Sequence, residues 1–158
     1  MKFGGETLGE PKPEVLVFPR GEKQYVLRCA PVLDFEEFKT LCPPPNPPSI
    51  MQAGETKGTV DLNDPEYIKA LTEWATKQTD WMVIQSLKAT PDIEWETVNP
   101  VEPDTFINWR TEMKKAGFST LEITLVVEAA TTASGLNQQK MDEARKAFLV
   151  GEAQAAKE

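Results

Sequence analysis

A chain of 158 residues, 40% hydrophobic and 27% charged, has the composition of one ordinary globular domain or a small domain with an appendage. Its net charge of −8, with no basic run denser than Lys114-Lys115, speaks against a phosphate-neutralising surface and so against DNA or RNA as a partner. Having no histidine and only two cysteines, Cys29 and Cys42, it lacks a Ser-His-Asp triad, a Cys₄ or Cys₂His₂ zinc site and the commonest general base.

The opening residues lead into no apolar stretch of roughly 7–15 residues, so no signal peptide is expected. No run approaches the roughly 20 apolar residues of a membrane span. Residues 15–18 (VLVF) and 25–29 (YVLRC) are rich in β-branched and aromatic side chains and flank the polar, glycine-containing PRGEK. That pattern predicts a β-hairpin. Residues 34–41 predict a two-turn helix capped by Asp34, with Phe35, Phe38 and Leu41 on one face. Residues 43–63, opening PPPNPPS, carry no periodicity and predict a proline-rich linker. Polyproline II ligand and belt packed across the protein are the other two readings of that stretch.

From Asp64 the pattern is helical. Asp64-Pro65-Glu66 is a start signal, and a helix to about residue 88 places Tyr67, Leu71, Trp74, Trp81 and Ile84 on one side. Residues 91–103 predict a packed loop with Ile93, Trp95 and Val98 turned in. A second helix over residues 104–116 ends in two lysines and Gly117. Ser119-Thr120-Leu121-Glu122 fits a capping box, stapled by Phe118 and Ile123, for a third helix whose buried stripe is Ile123, Val126, Val127 and Ala130. A fourth begins near Asn137, with Leu136 and Met141 as its staple and Ala144, Phe148 and Leu149 turned inward. The expected fold is therefore α+β: a hairpin module (residues 1–42), a proline-rich seam (43–63) and a four-helix module (64–158). A 42-residue module cannot build its own core, so the hairpin must dock on the helices or on another chain.

No catalytic or metal-binding constellation emerges, and no cofactor is expected. Asp92, Glu94 and Glu96 alternate with Ile93 and Trp95, which predicts acids in solvent and apolar residues inside. A small enzyme using these carboxylates and a metal is the opposing reading, and the missing histidine weighs against it. Arg28 adjoins Cys29 but points the other way on a strand, so neither thiol has an evident activator. Aromatic residues dominate interface hot spots, and the least regular helical stretch holds Trp95, Phe106 and Trp109. These three are the expected partner-binding residues.

Three stretches taken together carry a resemblance: KFGGETLGEPKPEVLVFPRG, WMVIQSLKATPDIEWETVNPVEPDTFINW and AGFSTLEITLVVEAATTASGLNQQKMDEARKAFLVG. The set resembles the tail assembly chaperones of long-tailed bacteriophages, over most of the chain including the proline seam. The resemblance implies a non-enzymatic protein of the host bacterial cytoplasm. It implies binding to the long helical tape-measure protein and help for tail-tube subunits assembling around it. The family has no reaction centre, so no residue inherits a catalytic role. The alternative is a structural virion component, either a head–tail connector or a tail subunit.

Overall fold

The computed structural model describes residues 4, 5, 9, 12–51, 53–54, 58–135, 141–143 and 145–146. Strands β1 (Glu14–Arg20) and β2 (Lys23–Cys29) form the expected hairpin, with Val17 opposite Val26 and Arg20 opposite Lys23. Its two-residue turn places Gly21 at a φ of +60° and leaves Glu22 at negative φ, the type II′ pattern that follows the twist of the strands. Alternation then turns Leu16, Phe18, Leu27 and Cys29 toward the helices and leaves Val15, Val17 and Val26 exposed on the outer face.

Helix α1 (Glu36–Leu41) starts two residues later than expected. Asp34 Oδ1 accepts the Glu36 N–H at 3.2 Å, a local turn that holds Asp34 outside the helix, and Phe35 stands at the cap. Phe38 is fully buried against Trp74 and Trp81, at ring-centroid distances of 5.4 and 5.9 Å. The seam is more structured than its composition predicts. Its start is tied down by Trp74 Nε1, which donates to the Cys42 carbonyl at 2.8 Å. Farther on, β3 (Ser49–Ile50) pairs with β4 (Thr59–Val60), and the Asp61 N–H reaches the Pro48 carbonyl at 2.9 Å.

Helix α2 (Pro65–Leu87) begins as predicted, with Asp64 Oδ2 accepting the Tyr67 N–H at 2.8 Å. The expected inward stripe holds only in part. Buried positions run from Asp80 to Leu87, Trp74 and Tyr67 are half-buried, and Leu71 is exposed. The buried core cluster takes its α2 residues from Trp81 onward, and Ile68 and Leu71 stay 48% and 39% exposed.

Residues 91–102 form the expected packed loop, with Val98 buried and Ile93 and Trp95 half-buried. The helix expected from 104 opens instead as a 3₁₀ turn (Pro103–Thr105) before α3 (Asn108–Lys115). Thr105 Oγ1 accepts from the Asn99 N–H at 2.9 Å and donates to the Glu102 carbonyl at 2.8 Å, side-chain bonds that compete with regular helix. Gly117, at a φ of +96°, ends α3 as the sequence predicts. Both bonds of the Ser119–Glu122 capping box are present at the start of α4 (Thr120–Ala133). Ile123, Val126 and Ala130 are buried and Val127 is half-buried, as expected, while Ala129 and Ala133 widen the stripe.

Residues 141–143 and 145–146 are helical, within the span of the fourth predicted helix. Its inward residues Ala144, Phe148 and Leu149, and the staple residue Leu136, lie outside the described residues. One core joins the hairpin with helices α1 to α4. Phe18, Leu27 and Cys29 of the hairpin, Phe38 of α1, Trp81, Ile84 and Leu87 of α2, Phe106 and Trp109, and Val126 of α4 belong to a single cluster. The fold is thus mixed α+β, with the hairpin as one wall of a helical core.

Candidate binding surface

The three expected partner-binding residues separate. Phe106 and Trp109 are 0% exposed, and neither offers surface to a partner. Trp109 Nε1 donates to Asp80 Oδ1 at 2.8 Å. The Arg110 side chain reaches the same oxygen through Nε at 3.0 Å and an Nη at 2.8 Å, and its guanidinium lies 4.7 Å from the Trp109 ring centroid. Asp80 is 1% exposed, so its charge is held by these donors and not by water. The pair Trp109–Asp80 ties α3 to α2, which is a structural role. In sequence, Asp92, Glu94 and Glu96 stand out among the acids and Asp80 does not. The available signal is its spacing: Asp80 stands four residues before Ile84 and seven before Leu87, within the inward stripe.

Trp95 alone faces accessible space. It lines a half-open cleft of about 900 Å³ between β2, the 90–96 loop and the turn from α3 to α4. Tyr25, Leu27, Ile93, Met113 and Phe118 are among the other apolar residues that line it. Asp92, Glu94 and Glu96 stand exposed along one wall, as the alternation predicts. The wall is held by Glu112. Its Oε2 accepts the Glu96 N–H at 2.8 Å, and its Oε1 accepts the N–H and the hydroxyl of Thr97, both at 2.7 Å. Burial opposes the charge on Glu112, but the Thr97 hydroxyl and the loop N–H groups outweigh it and lower its pKa.

At the other end Arg20 joins the hairpin tip to α4. It donates to Glu122 Oε2 at 2.7 Å and lies 5.6 Å from the Phe118 ring centroid. The bond from Arg20, aided by the Ser119 N–H, lowers the Glu122 pKa from 4.5 to about 2. A depressed folded pKa gives stability that is present above the unfolded value and lost as pH falls toward the folded one. Melting temperature is therefore expected to fall between pH 4.5 and about 2, with a shallower slope in Glu122→Gln. Equal slopes in the two proteins would show that Glu122 carries none of this dependence.

A second exposed apolar set lies on the seam ribbon and the start of α2: Ile50, Met51, Val60, Leu62, Ile68 and Leu71, with Met51 70% exposed. Cys29 is buried, and burial pushes its thiol pKa up, away from the reactive thiolate. Among the described residues no cluster of acids and cysteines has the geometry to hold a metal, and no helix is long and apolar enough to cross a membrane.

No protein-family model matches the chain, and neither a curated protein nor a solved structure does. Fold and surface together define an α+β protein with a half-open, acid-walled apolar cleft and an exposed apolar helix start.

Proposed function

We propose that the protein is a non-enzymatic tail assembly chaperone of a long-tailed bacteriophage. In this reading it works in the host bacterial cytoplasm, where it binds the tape-measure protein and assists tail-tube subunits to assemble around it. The family assignment rests on the resemblance of the three quoted stretches. The binding activity rests on one observation: Ile68 and Leu71 stay exposed at 48% and 39% on a helix whose second half is core. A client helix laying its apolar stripe along the first half of α2 buries both partners' exposed side chains. The −8 charge keeps the unloaded protein soluble through self-repulsion.

Co-expression of the full chain with the tape-measure protein tests this. The complex is expected to purify as a soluble species. Ile68→Lys with Leu71→Lys is expected to abolish it with only a small loss of thermal stability, because neither side chain belongs to the core cluster. An insoluble client despite abundant chain would overturn the reading. Mass spectrometry of purified particles separates the virion alternative, since a chaperone is absent from them and a connector is present at ring stoichiometry.

A further inference from the structure

We propose that the outer edge of β2 takes up an extended segment of a partner protein as a third strand, one in which apolar side chains alternate with Lys or Arg. This inference is independent of the tail-assembly reading.

The argument begins with the ladder. In an antiparallel pair, alternate residues turn their backbone groups toward the partner strand and the others turn theirs away. The two-residue turn makes Arg20 and Lys23 a bonded pair, so Tyr25 and Leu27 also face β1, whereas Gln24, Val26 and Arg28 face outward. The contacts of Arg28 agree. Its N–H donates to Thr90 Oγ1 at 2.7 Å, and its carbonyl accepts from the same hydroxyl at 3.1 Å. Two residues on, the Ala30 N–H donates to the Ser86 carbonyl at 2.9 Å, and the Ala30 carbonyl accepts from Ser86 Oγ at 2.7 Å. The outer edge is therefore fully occupied at 28 and 30. At Val26 and Gln24 no described residue supplies a hydrogen bond to the backbone N–H or carbonyl.

Those two residues line the 900 Å³ cleft. An unpaired edge beside an apolar cleft is a template for an added strand. The opposite edge of the sheet is blunted: Pro19, on the outward-facing register of β1, has no N–H to offer. Among the described residues nothing comparable guards β2 at Gln24 and Val26.

The cleft also selects its occupant. Along Asp92-Ile93-Glu94-Trp95-Glu96 the acids are exposed and the apolar residues half-buried, at the period of two of an extended chain. None of the three acids is in an ion pair with a described residue. A docked strand sets one row of side chains against Tyr25, Trp95 and Phe118 and the other near these carboxylates. Apolar residues alternating with cations complement both rows.

The test uses the full chain and a synthetic Lys-Val-Lys-Val-Lys-Val peptide, followed by amide NMR and hydrogen exchange. Saturable shifts and slowed exchange are expected at the Gln24 and Val26 N–H groups, with Tyr25 little changed because its N–H already serves β1. Peptides N-methylated on one alternate set of residues are expected to lose binding, and those methylated on the other set to keep it, since only one set faces β2. Replacing the lysines by glutamates abolishes binding. Glu94→Lys with Glu96→Lys weakens it by roughly tenfold, through two exposed charge positions reversed in sign. Equal binding by both N-methyl sets, equal binding by the glutamate peptide, or protection confined to residues 65–79 would each overturn the proposal. So would the absence of saturable binding. Concentration-dependent shifts at Gln24 and Val26 without peptide would also overturn it, by making a second copy of the chain the occupant.

Discussion

A fragment of residues 64–158 is expected not to fold, although its helical pattern is the clearest in the chain. The full-length core includes Phe18, Leu27, Cys29 and Phe38, all from before the seam. Burying the three large side chains among them is worth roughly 1.5–3 kcal/mol each. Their sum is comparable to the roughly 5–15 kcal/mol that holds a domain together. The cut also strips partners from polar groups. Ser86 and Thr90 lose the backbone of Ala30 and Arg28, and Trp74 Nε1 loses the Cys42 carbonyl. Circular dichroism of the fragment should show helix without a cooperative thermal transition. A sharp transition close to that of the full chain would mean that the helices carry a core of their own. Any binding assay on the isolated helices inherits this result.

Asp80→Ala is expected to cost about 3–5 kcal/mol, the range for removing one partner of a buried ion pair. The substitution leaves Trp109 Nε1 without an acceptor at a position closed to water, and it leaves Arg110 without its carboxylate. The Arg110 side chain is 34% exposed and can turn toward solvent, so the stranded indole is the harder loss. Asp80→Asn keeps an acceptor for the indole and should lose less, about 1–2 kcal/mol for the weaker neutral bond. Denaturant unfolding of the two variants and of Asp80→Ala combined with Trp109→Phe measures the coupling. If the double variant is no less stable than Asp80→Ala alone, the indole bond carries the effect. Asp80→Ala within about 1 kcal/mol of the parent would show that the charge was never worth burying.

These two expectations rest on packing, which the amino-acid order shows least. What the order does determine lies within a few residues of its cause. Asp64 caps α2, Ser119 and Glu122 close their box, Gly117 ends α3 and Gly21 turns the hairpin. Each is a bond or a dihedral decided over three or four positions, so composition and spacing suffice to read it. The same local logic placed Glu94 and Glu96 in solvent and Val98 in the core.

Burial answers to a different cause: which distant element comes to lie across a face. Tyr67, Leu71, Trp81 and Ile84 share one helical stripe, yet only its second half is buried in the common core, so Leu71 stays exposed where Ile84 does not. Trp109 and Trp95 look alike in the sequence. Trp109 is buried because Asp80, on another helix, offers its indole an acceptor, whereas Trp95 is left on the wall of a cleft. The open edge of β2 is likewise a tertiary outcome. Thr90 and Ser86, some 60 residues away, occupy that edge at Arg28 and Ala30 and stop short of Val26 and Gln24. Caps, turns and periods are short-range and were legible. The partners that satisfy or leave open a buried face, a charge or a strand edge are long-range, and only the folded chain brings them together.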